Sequence, residues 1–140
     1  MATVLQILNA NRSLSLFCKG VKGSELEKKL GEIGPFTILG PVNLALQNLE
    51  SLTYDQLLEP ANKARLLELL SGYIISGKKM LHDFRNEQKL STLNGRQITV
   101  SVKNGDTHID GAKILAHNWQ GSNGVIHLLD KTFAAPTVEK

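Results

Sequence analysis

One cysteine, Cys18, is all that the 140-residue chain possesses. A lone thiol cannot close an internal disulfide, and it excludes a zinc site built from paired cysteines. Because free cysteine is among the most often buried residue types, Cys18 is expected inside an N-terminal helix, with an intermolecular bridge as the alternative. Long apolar runs are also lacking: Gly, Asn, Lys or Glu interrupts each hydrophobic stretch well before the roughly 20 residues that cross a bilayer. No membrane span is expected. The opening MATVLQILNA has no basic leader and carries Gln6 and Asn9 in its apolar part, so it does not read as a signal peptide. A secreted protein with this sequence would have been cut from a longer precursor.

Aromatic residues amount to 5% and the net charge is only +3, which argues against a nucleic-acid partner despite a pI near 9.1. Nucleophile elbow, glycine-rich phosphate loop, HExxH run and paired-cysteine site are all missing. His82, His108, His117 and His127 fall on separate expected elements, and His82-Asp83 reads as a solvated loop pair. The chain is expected not to be an enzyme and to fold without metal or cofactor. Were a metal needed, His82, Asp83 and His108 would be the candidate ligands.

What remains is ordinary for a globular protein: 41% hydrophobic and 21% charged residues with no low-complexity run. Residues 1–140 are expected to form a single domain with no internal linker. Asn11-Arg12-Ser13 fits a glycosylation sequon, which matters only outside the cell.

The first half reads as helical. Ser24 with Glu27 has the spacing of a capping box, followed by Leu26 and Leu30 one turn apart and Gly31 as a stop. Thr53 with Gln56 repeats the spacing, and Ala61 to Leu70 carries a broad apolar face. In the second half the period changes. Ile98, Val100 and Val102 alternate with Thr99, Ser101 and Lys103, the pattern of a strand with one wet face. Asn94-Gly95, Asn104-Gly105, Asp110-Gly111 and Asn123-Gly124 have the composition of tight hairpin turns with positive φ. A meander of short antiparallel strands is expected there, with FTIL at 36–39 as a further strand. Helices first and strands later predict an α+β architecture.

Within SNGVIHLLDKTF at 122–133, His127 would share a strand face with Val125 and Leu129, with Ile126 and Leu128 on the other. Both faces are apolar, so the strand is expected to be internal. The imidazole then needs a hydrogen-bond partner, and a structural role is expected because the sequence nominates no acid or nucleophile beside it.

This segment, extended to SNGVIHLLDKTFAAP, resembles the C-terminal signature of fasciclin domains. FTILGPVNLAL at 36–46 is similar to that family's first signature, and Ile109 to Ala112 resembles its VNGA turn. The matching signature residues are Pro41, Asn43, Asn123, Gly124, His127 and Asp130. The resemblance implies a fasciclin-like β-wedge of short, mainly antiparallel strands flanked by several helices. It also implies a non-enzymatic, extracellular adhesion or ligand-binding module of a larger receptor or matrix protein, resembling the stabilins or periostin. Expected partners are an extracellular protein or glycan and neighbouring domains of the same chain; the alternative is a spacer with no ligand of its own. Val42 and Leu44 depart from the family's Thr and Glu and are expected to pack locally, with docking of a neighbouring domain as the alternative. The family's adhesion-linked Tyr-His pair would fall at Gly72-Tyr73, where neither residue matches in place, while Tyr73, Ile74 and Ile75 read as a core strand.

Charge is uneven. Between residues 78 and 103, six basic residues, Lys78, Lys79, Arg85, Lys89, Arg96 and Lys103, face two acids, Asp83 and Glu87. That surplus makes these six the candidate residues for an anionic ligand such as a sulfated glycan or an acidic lipid surface, the alternative being a loop and strand face whose charges only keep it solvated.

Overall fold

The computed structural model describes residues 3–22, 24–47 and 53–133. Three helices open it: α1 (Val4–Ala10), α2 (Ser15–Lys22) and α3 (Leu26–Leu30). Strand β1 (Phe36–Pro41) follows, and then α4 (Asn43–Gln47), α5 (Tyr54–Leu57) and α6 (Lys63–Ser71). The remaining strands are β2 (Ile74–Ser76), β3 (Lys89–Ser91), β4 (Gln97–Lys103), β5 (Asp106–Ile109), β6 (Ala112–Gly121) and β7 (Gly124–Leu129).

The seven strands make one mixed sheet in the order β2-β1-β7-β6-β5-β4-β3. From β3 to β7 each strand pairs antiparallel with the next, which is the expected meander. The parallel pairing of β1 with β7 joins residues about 90 apart and carries no local signal. Both strands are buried along their whole length. The loop after β3 returns to the opposite side of the sheet, where the Leu93 N–H donates to the Ile74 carbonyl at 2.9 Å.

Local chemistry explains most boundaries. Thr53 and Gln56 form the expected capping box, and Thr3 with Gln6 forms a second at the start of α1. Ser24 does not cap as its spacing predicts: its hydroxyl donates to the Val21 carbonyl and accepts from the Leu26 N–H, two residues on. A serine can bond its own local backbone in either geometry, and here the turn out of α2 claims it. Gly105 and Gly111 have φ of 84° and 87°, preceded by Asn104 and Asp110 at 51° and 47°, so both pairs are left-handed hairpin turns.

Asn123-Gly124 is different. Gly124 does not adopt positive φ; a Cβ built on it would overlap the Phe36 carbonyl of the neighbouring strand. Glycine is required there by the closeness of two backbones rather than by turn geometry. Ile38, Leu39, Ile74 and Ile126 are fully buried and join Leu8, Leu14, Phe17, Leu30 and Leu70 of the helices in one core. Cys18 is buried in α2 as expected, and burial raises its thiol pKa.

Candidate ligand-binding surface

The six basic residues do not form one patch. Arg96 and Lys103 stand at opposite ends of β4, about 23 Å apart at roughly 3.3 Å per residue. Arg96 is engaged: its Nη2 lies 3.0 Å from Asp110 Oδ2, and its guanidinium sits 5.4 Å over the Phe133 ring. Arg85, Lys89 and Lys103 are exposed and gather along the β3–β4 side, where Asn86 Oδ1 accepts the Val102 N–H at 3.0 Å. Lys78 and Lys79 lie on the segment after β2. The Lys78 ammonium reaches Gln120 Oε1 of β6 at 2.8 Å. Arg96 is thus engaged, while the other five divide between the segment after β2, with Lys78 and Lys79, and the β3–β4 side, with Arg85, Lys89 and Lys103. Asp83 Oδ2 accepts the Met80 N–H at 2.9 Å.

His127 is fully buried in β7, with its Nε2 2.7 Å from the Lys79 carbonyl and its ring 5.5 Å from Phe84, edge to face. The sequence-predicted metal candidates are not brought together. His82 and Asp83 form a surface pair at 3.5 Å, while His108 lies on β5 between Ser101 and Lys113 in register. Among the described residues no group of three or more His, Cys, Asp or Glu could hold a metal ion.

The other signature residues act as fasteners. Asn43 Oδ1 accepts the Leu16 N–H, and its Nδ2 donates to the Arg12 carbonyl and to Ser15 Oγ. Asn123 Oδ1 accepts the Val4 N–H at 2.9 Å while its Nδ2 donates to the carbonyls of Leu30 and Glu32. One side chain thereby ties α1 and the end of α3 to the β6–β7 turn. Asp130 Oδ1 accepts the Lys113 N–H, and Pro41 closes β1 opposite Leu129. These connections bridge up to 119 residues, so spacing alone could not have disclosed them.

At the position of the family's adhesion pair, the Tyr73 hydroxyl accepts the Phe133 N–H at 2.9 Å and its ring stacks on Phe133 at 4.3 Å. Burial pushes the phenol's pKa up to about 12. Strand β2 begins at Ile74, so Tyr73 precedes it in a turn, although it is buried as expected. Val42 packs against the core, but Leu44 is 66% exposed and so departs from the expected local packing. At the sequon, the Asn11 side-chain nitrogen is buried and makes no hydrogen bond among the described residues. The Asn11 Oδ1 accepts the Ser13 N–H at 3.0 Å, at the start of the 3-10 turn Arg12–Leu14.

The fasciclin domain model matches residues 12–135. Protein sll1483 of Synechocystis is 30% identical over 96% of this chain and 74% of its own length. Human periostin is 32% identical over 85% of this chain, which corresponds to 13% of periostin. The solved fasciclin domain pair of the insect cell adhesion molecule fasciclin I superposes with a TM-score of 0.83 at 18% identity, over 96% of this chain and 51% of that one. With the family model matched across most of its length and the α+β fold reproduced, the chain belongs to the fasciclin domain family.

Proposed function

We propose that the chain is a non-enzymatic, extracellular adhesion or ligand-binding module whose ligand is a sulfated glycan. The observation that carries this reading is the surplus of basic residues between Lys78 and Lys103, where Lys78, Arg85, Lys89 and Lys103 are exposed and Lys79 is half-buried. Exposed charges of one sign raise the local concentration of a polyanion and act over the Debye length, about 10 Å at 0.1 M salt. Occurrence of the family in periostin and in an insect cell adhesion molecule supports a binding role. Full burial of His127, with its Nε2 at the Lys79 carbonyl and its ring against Phe84, supports a structural role for it.

A column of immobilised heparin tests the reading. The parent chain should be retained at low salt, and the triple variant Lys78→Glu, Lys79→Glu, Arg85→Glu should elute early. Equal elution of the two, or no retention of the parent, defeats it. Retention on acidic lipid vesicles but not on heparin would transfer the site to a membrane surface. The second reading, a spacer between neighbouring domains, draws support from Gly72 and the buried Tyr73 at the adhesion-pair position; it predicts binding to neither.

A further inference from the structure

The segment after β2 is unusual in how its backbone is held. Gly77 turns the chain at φ 103°, and its N–H donates to the Pro35 carbonyl at 2.8 Å. Thr37 Oγ1 donates to the Gly77 carbonyl at 2.7 Å and accepts the Lys79 N–H at 2.8 Å. His127 Nε2 meets the Lys79 carbonyl at 2.7 Å and serves there as the donor. Both side chains have no exposed surface.

Thr37 pairs with Val125, and Leu39 pairs with His127, in the parallel β1–β7 register. Alternation then puts Thr37 and His127 on the same face of the sheet, on adjacent strands and two residues apart. The opposite face meets the helices, since a Cβ on Gly40 would touch Leu14. The segment from Gly77 to Phe84 thus covers one face of the central strands, with Phe84 against the His127 ring. Apolar side chains at 37 and 127 would fill that face as well without bonding the segment. The two polar groups are spent on the backbone of the residues that carry the first two lysines of the basic stretch.

We propose that Thr37 and His127 are positioning residues for anion binding: from the sheet face beneath the segment they fix the Gly77–Met80 backbone so that Lys78 and Lys79 are presented in one arrangement. The inference rests on the glycan-binding reading above. A loop already ordered before binding does not lose that conformational freedom when the ligand arrives, so its affinity is higher for the same number of charges. Lys78 is further held by Gln120.

The test separates position from charge. A heparin-derived octasaccharide is titrated calorimetrically against the parent, Thr37→Val, Thr37→Ser and Lys78→Gln at several salt concentrations. Valine keeps roughly the volume of Thr37 and removes both bonds. Thr37→Val should bind roughly three- to tenfold more weakly, with the parent's dependence of affinity on salt unchanged, because no charge is lost. Thr37→Ser should restore affinity. Lys78→Gln should lose affinity and flatten the salt dependence together. Gly77→Ala supplies an independent route should Thr37→Val fail to fold: its Cβ meets no atom, yet φ 103° strains it, so it disturbs the segment from the solvent side. It should weaken binding like Thr37→Val.

Parent-like affinity in Thr37→Val, or in Gly77→Ala where Thr37→Val does not fold, overturns the positioning role and leaves glycan binding intact. Parent-like affinity in Lys78→Gln overturns it as well, because the octasaccharide would then be held elsewhere. A parent that binds no octasaccharide overturns both readings.

Discussion

β1 and β7 run parallel through the middle of the sheet with every residue buried, whereas β3 and β4 alternate between core and solvent. The central pair carries the residues by which the family is identified, and they face inward or fasten loops: Asn123, Gly124 and His127 on or beside β7, Asn43 just past β1. The outer strands carry charge, Lys89 and Lys103, at exposed positions. The signature residues therefore serve the closure of the centre, whereas the residues of the proposed anion site lie on the outer stretch and its loops. The Gly77–Met80 segment is where the two regions meet.

Substitutions can break or sharpen that contrast. Gly124→Ala should have the largest effect, because the added methyl overlaps the Phe36 carbonyl and strands β1 and β7 must separate. A loss of about 4 kcal/mol or more is expected, enough to leave little folded protein by circular dichroism. Gly105→Ala supplies the outer counterpart: its Cβ meets nothing, so only the backbone strain at φ 84° is paid.

Ile126→Ala should come next, at about 2–5 kcal/mol in a denaturant titration, as a fully buried large-to-small change. Parent-like stability would place β7 outside the core and remove the distinction between centre and edge.

An alkaline titration reads the central region without mutation. Tyr73, whose carbonyl accepts the Leu39 N–H of β1, has its pKa raised by burial to about 12, and Tyr54 is raised by the same cause. The folded state favours the neutral phenols, so their contribution is complete below pH 10 and is lost as pH rises from 10 toward 12. For Tyr73 the loss approaches roughly 3 kcal/mol, at about 1.4 kcal/mol per pH unit. A melting temperature that stays level between pH 9 and pH 11.5 would contradict this burial.

The smallest effect is expected at the edge. Lys89→Glu and Lys103→Glu should change stability by no more than about 0.5 kcal/mol while reducing heparin retention. Large destabilisation by either would show that the outer charges serve the fold.

Much of this could be read directly along the chain. Period-2 alternation located β4, since one of its faces is wet, and the Asn104-Gly105 and Asp110-Gly111 pairs located its neighbouring hairpins. Capping chemistry at Thr53 is equally visible, and the same Thr-x-x-Gln spacing at Thr3 and Gln6 marks the start of α1. These are local effects, fixed by residues within a few positions of one another.

Other features had no local cause. The parallel β1–β7 pairing, the contact that reserves position 124 for glycine, and the reach of Asn123 to Val4 all join residues far apart in sequence. The split among the basic residues was likewise hidden, because only the folded sheet decides that Arg96 meets Asp110 and Phe133 while Lys103 points to water. Sequence by itself determined the elements and, through its signatures, the family. Tertiary structure alone decided which polar side chains are spent inside and which charges are left to act outside, because that choice depends on what each backbone brings within hydrogen-bonding distance.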